Sequence, residues 1–146
     1  MIRRYGQPPE AGRRYILRPG VYAILPRYGQ LLLTHQSRPH PELQLPGGGI
    51  DPGEHPIAAL HREVFEETGW HIGNPRRLGA FRRFTFMPEY DIWAEKLCII
   101  YRALPVRPHA DPIEPDHRVQ WATPEEAAQW LGNPGDRAFV ARYCRQ

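Results

Sequence analysis

The stretch GGGIDPGEHPIAALHREVFEETGW, Gly47 to Trp70, constrains this chain more than any other part of it. Proline is favoured at the first position of a helix and glycine just past its end, so Pro56 and Gly69 bracket a helix over 56–68. At about 100° per residue, Leu60, Val64, Ile57, Phe65 and Ala58 share one arc, which reads as the core face. Glu63, Glu66 and Glu67 share a second arc of about 100°, with Arg62 at its edge. Three carboxylates thus occupy the last turns, where the helix backbone already presents partial negative charge. Glu63 lies three and four residues from Glu66 and Glu67, spacings at which like charges cost about 0.2–0.5 kcal/mol each.

A solvated acidic face could carry these costs, but a bound cation removes all of them together. Hard divalent cations take oxygen ligands, and Mg²⁺ in particular combines one or two carboxylates with water and substrate phosphates. The preceding glycines, Gly47-Gly48-Gly49, let the backbone approach a ligand closely. No Gly-Lys-Ser/Thr follows them, and their spacing breaks the dinucleotide-binding pattern, so neither of those phosphate motifs is present. The alternating acids of a calcium loop are absent as well.

Gly48, five residues, Glu54, seven residues, then Arg62-Glu63-Val64-Phe65-Glu66-Glu67-Thr68-Gly69-Trp70 resembles the Nudix box, G-x5-E-x7-R-E-U-x-E-E-x-G-U, where U is a bulky apolar residue. All nine specified positions are filled, over 23 of the 146 residues. The resemblance implies an α/β fold, an α/β/α sandwich about a mixed central sheet. It also implies Mg²⁺- or Mn²⁺-dependent hydrolysis of a nucleoside diphosphate linked to a further group. Carried over by residue, Glu63, Glu66, Glu67 and the backbone carbonyl of Gly48 would be metal ligands. Arg62 would orient the cluster with Glu54 as its partner, and Gly69 would be structural. The proton of the attacking water would go to Glu66, or to Glu114 in a later loop, with Asp116 and Asp111 competing for that role.

The rest of the chain fits one α/β or α+β domain over 1–146, with a loose Pro- and Gly-rich tail over 1–12. YILRPGVYAILP and QLLLTHQ read as two strands joined by the turn Pro26–Gly29. LQLPGGG reads as a short strand entering a glycine turn. A long hairpin is expected around Met87–Tyr90, and a short strand in RVQWA. Thr123-Pro124-Glu125-Glu126 is a helix start with a capping box, and DRAFVARYCRQ a last short helix. The net charge of +3, mostly scattered arginine, suits an anionic substrate, while the lack of a long basic run argues against a sequence-specific nucleic-acid partner. No apolar stretch approaches the roughly 20 residues of a membrane span, and no apolar core follows the first charged residues, so a cytoplasmic protein is expected. Cys98 and Cys144 lack metal or redox spacing and read as free thiols.

The substrate is less constrained. Arg38 and His40, before the glycines, are candidates to meet phosphates. Phe86 and Tyr90 are candidates to stack on a base, among aromatics that include Tyr22, Phe84 and Trp93. The downstream positions that mark some Nudix subfamilies hold Thr85, Phe86, Met87 and Pro88, which match no marker cleanly. The expected substrate is a nucleoside triphosphate, oxidised or not, cleaved to monophosphate and pyrophosphate; nucleotide sugars and dinucleoside polyphosphates are alternatives. Two further classes are a catalytically silent nucleotide sensor, which usually loses glutamates retained here, and a diphosphate isomerase, which needs a reactive cysteine. A homodimer is compatible with the long hairpin.

Overall fold

The computed structural model describes residues 2–144. Its elements are β1 (Arg3–Arg4), β2 (Ile16–Ile24), β3 (Pro26–Arg27), β4 (Gln30–Gln36), β5 (Glu42–Gln44), β6 (Gly47–Gly49), α1 (Pro56–Thr68), β7 (Trp70–Met87), β8 (Ile92–Pro108), β9 (His117–Ala122), α2 (Pro124–Trp130) and α3 (Pro134–Tyr143). A mixed sheet runs β1-β7-β8-β2-β6, with β2 parallel to β8 and β1 parallel to β7. In the second sheet β4 pairs with β3 and β5, and also with β9. Among the described residues, no helix is long and apolar enough to cross a membrane.

β2 explains the layering. Val21, Ala23 and Leu25 point to one side and pack with Ala59, Leu60 and Val64 of α1. Tyr22 and Ile24 point to the other, toward Leu131 and Val140 of the C-terminal helices. A strand buried on both faces needs partners on both edges. β2 therefore lies between β8 and β6 rather than forming the expected hairpin with β4. That hairpin is confined to β3 and β4, across Tyr28 and Gly29, both at positive φ (48° and 76°), as a tight two-residue hairpin turn requires. The expected loose tail also differs: Arg3–Arg4 pair with Phe81–Arg82, and the Tyr5 ring meets Phe81 edge-on. Gly47–Gly49 form a strand against β2, where a turn was expected.

Helix α1 has the expected bounds, with Gly69 at φ 75° as its cap. The same glycine is sterically obligatory, because a Cβ there would fall on the Ala110 carbonyl oxygen. The rotation of the helix differs from expectation: Ala58 is exposed, Ala59 is buried, and Glu67 is only 7% exposed. The inward arc is therefore turned toward the carboxylates, and Glu67 points into the protein. α2 has its full capping box.

Candidate active site

Arg62 organises the acidic cluster. Its Nε and Nη2 donate to the two oxygens of Glu54, both at 2.8 Å, and Nη1 donates to Glu63 Oε1 at 3.0 Å and Glu66 Oε2 at 3.3 Å. Nη2 also donates to the Gly49 carbonyl at 3.1 Å, tying the helix to β6. With the Asp51 N–H, Arg62 holds the Glu54 carboxyl down at about 2. This planar, bidentate fork is a geometry lysine cannot reproduce.

Glu67 is held differently. The Gly47 N–H donates to its Oε1 at 3.0 Å, and His117 Nε2 lies 3.5 Å from Oε2. Burial raises the Glu67 carboxyl well above the usual range, against the Gly47 hydrogen bond, and the charges of Glu63, Glu114 and Glu66 raise it further. Burial likewise raises Glu63, against Arg62, with Glu66 and Glu114 adding repulsion. The His117 ring makes a 3.0 Å hydrogen bond between Nδ1 and Thr34 Oγ1, and burial lowers its pKa, so the ring is neutral at pH 7.

Glu114 reaches the cluster through main-chain bonds. The N–H groups of Ile113 and Glu114 donate to the Glu66 carbonyl at 2.9 and 3.0 Å, and His109 N–H donates to the Gly69 carbonyl at 2.8 Å. The loop after β8 thereby satisfies carbonyls that a helix end leaves unpaired.

A cleft of about 1410 Å³ opens over this cluster, lined by Gly48, Glu54, Glu63, Glu67, Glu114, Asp116 and His117. Glu66 faces Arg62 and is not among the lining residues. Arg38 and His40 are at the rim, exposed, with His40 Nε2 3.0 Å from Glu42 Oε2. Phe86 lines the cleft while its ring packs on Trp93 at 5.2 Å, and Tyr90 lines it with the Arg18 guanidinium 4.5 Å from its ring centre. Asp111 lies on the exposed loop outside the lining, beside Gly69. His117, Lys96 and Asp136 are lining residues that the linear motif does not contain. Lys96 carried one signal, an ammonium in the middle of an apolar strand.

The donor set suits a hard divalent cation: clustered carboxylates and a backbone carbonyl, with one guanidinium for balance. A Cβ on Gly48 would lie 2.4 Å from Glu63 Oε2, so in this conformation that carboxylate sits directly against the bare β6 backbone. In the present conformation Glu63 and Glu66 turn onto Arg62 and Glu67 onto Gly47. Among the described residues, no three His, Cys, Asp or Glu side chains enclose a single point. The Cys98 thiol is buried, and burial pushes it up to about 12, opposite to the shift that activates a cysteine nucleophile.

An α/β/α sandwich with this helix and cleft is the fold of the Nudix hydrolases. A structure described as a NUDIX hydrolase from Nitrosomonas europaea superposes with a TM-score of 0.72 at 20% identity, covering 87% of this chain and 88% of its own. A MutT protein from Bacillus halodurans superposes with a TM-score of 0.70 at 23% identity, covering 85% and 80%. The family profile described as the NUDIX domain matches residues 16–143, and the chain belongs to that family. Among curated relatives, a Bacillus subtilis protein with the provisional name 8-oxo-dGTP diphosphatase is 32% identical over 51% of this chain and 50% of its own. An RNA pyrophosphohydrolase of Pectobacterium atrosepticum is 40% identical over 46% of this chain and 38% of its own. The matched region thus spans half or less of these two relatives.

Proposed function

We propose that the chain hydrolyses a phosphoanhydride bond in a nucleoside diphosphate linked to a further group. The observation that carries this reading is the carboxylate cluster of α1, which opens into the cleft beside Gly48 and faces Glu114. Glu63, Glu66, Glu67 and the Gly48 carbonyl would hold Mg²⁺ or Mn²⁺, which when bound neutralises phosphate charge and polarises water. Arg62 fixes Glu63 and Glu66 on one side of the cleft, with Glu54 taking the rest of its donors. Glu67 is fixed by Gly47, and the neutral His117 flanks it without adding a charge.

Two carboxylates compete to accept the proton of the attacking water. Glu66 is engaged by Arg62, whereas Glu114 lines the cleft on an anchored main chain. These contacts favour Glu114. A nucleoside triphosphate is the first substrate to try, with the nucleotide sugars and dinucleoside polyphosphates next.

The test is incubation of the purified protein with Mg²⁺ or Mn²⁺ and a nucleotide panel, with products identified by chromatography. The expected result is cleavage of at least one member between phosphates, yielding a nucleoside monophosphate. Tight binding of a panel member without cleavage of any would instead indicate a sensor.

A further inference from the structure

Away from the carboxylates, the same cleft has a basic wall. Strand register sets Arg83 of β7 opposite Lys96 of β8, and Lys96 beside Arg18 of β2. Paired positions project from the same face of a sheet, so the three cations stand in one row across three strands. All three line the cleft. Like charges in directly opposed positions destabilise a sheet, so such a row calls for an anion.

The protein supplies little of it. Among the described residues, no carboxylate lies within 4 Å of Arg18, Lys96 or Arg83. Glu95 is 3.7 Å from Arg82, the neighbour of Arg83 on the opposite face of the strand. The acid nearest in effect is the buried Asp136, which feels Lys96 and Arg83, so one carboxyl faces two of the three cations. Arg18 lies over the Tyr90 ring, and Lys96 Nζ is 5.8 Å from the Tyr22 ring centre.

The row is close to the proposed site of hydrolysis. Gly20 is two residues from Arg18 along β2, about 7 Å, and pairs with Gly49 of β6. A Cβ on Gly20 would meet Tyr22 Oη at 2.9 Å and the Gly48 carbonyl at 3.0 Å. The cleft, about 1410 Å³, exceeds the roughly 300–1,000 Å³ of ordinary small-ligand pockets, leaving room for more than a mononucleotide.

We propose that Arg18, Lys96 and Arg83 form a subsite for an additional phosphate of the substrate, beyond the diphosphate at the acidic end. This deepens the hydrolase reading and rests on it for where the diphosphate sits. Two arginines and a lysine are the donors that recognise a phosphate dianion. The extra phosphate can be a further member of the same chain or an ester on the sugar.

Calorimetric titration of the metal-free full chain with ADP, ATP, ADP bearing a 2′-phosphate and ADP bearing a 3′-phosphate tests this without turnover. At least one of the three triply phosphorylated probes should bind about tenfold more tightly than ADP, the value of one charge-assisted contact. Preference for ATP assigns the row to chain extension; preference for a 2′- or 3′-phosphorylated ADP assigns it to a sugar ester. In Lys96→Met, and separately in the less enclosed Arg18→Gln, the ratio to ADP should fall toward one, with circular dichroism confirming the fold. Equal binding of all four probes, no binding of any, or a preference retained in both variants overturns the subsite. Preference without hydrolysis of any nucleotide would uphold the subsite and overturn the hydrolase reading; hydrolysis without preference would do the reverse.

Discussion

The two ends of the cleft concentrate charge of opposite sign by opposite means. At the acidic end, Glu63, Glu66 and Glu67 come from two turns of one helix, and Arg62 beside them is bonded to three of the surrounding carboxylates. At the basic end, Arg18, Lys96 and Arg83 come from three strands, and the buried Asp136 stands near Lys96 and Arg83 in charge. One end is a scaffolded cluster already wired by hydrogen bonds, the other a row of cations with few protein partners. On the proposed reading the contrast separates catalysis from recognition: carboxylates that hold a metal need fixed positions, whereas cations that receive a phosphate need an unfilled partner.

The acidic end should break most sharply. Glu67→Gln keeps the acceptor for Gly47 N–H but removes a charge from the cluster, so the fold should survive while kcat falls by about a thousandfold. Steady-state kinetics with circular dichroism checks this, and near-normal turnover would remove Glu67 from the metal site.

At the basic end the larger effect is on stability. Burial pushes the Asp136 carboxyl up to about 7 despite Lys96 and Arg83, compared with 3.8 in a solvated chain. Between these values the folded state binds a proton that the unfolded state has released, so this group's contribution falls as pH rises from about 4 to 7. Asp136→Asn should flatten that decline and leave the variant more stable than the parent at pH 8, by at most about 4 kcal/mol. Denaturant titrations at pH 5 and pH 8 measure it; parallel shifts at both pH values would show that the carboxyl does not titrate there.

The smallest expected effect is on the unligated cluster. Millimolar Mg²⁺ should raise the melting temperature by a few degrees, about 1–3 kcal/mol of linkage, and much less in Glu67→Gln. An equal rise in both proteins would place the ion elsewhere.

How much of this could be read beforehand follows the same division. Helix α1 was legible to the residue because its signals are local, Pro56 at one end and Gly69 at the other. The capping box of α2 was legible for the same reason. The phase of α1 was less so: Ala58 and Ala59 are chemically identical, and which one turns inward depends on where the sheets lie. The partners of β2 were also hidden, since apolar runs separated by a turn suggest a hairpin whether or not the strands stay together. The basic row could not be read at all, because residues 18, 83 and 96 meet only through strand register. His117 escaped because its neighbours, Thr34 and Glu67, come from distant parts of the chain.

The main-chain bonds from Ile113 and Glu114 to the Glu66 carbonyl have an evolutionary consequence. Amide-to-carbonyl attachment does not depend on the side chain, so any residue except proline can stand at these two positions without leaving the helix end. A lineage can therefore retune what this loop presents to a ligand while inheriting the acidic helix unchanged.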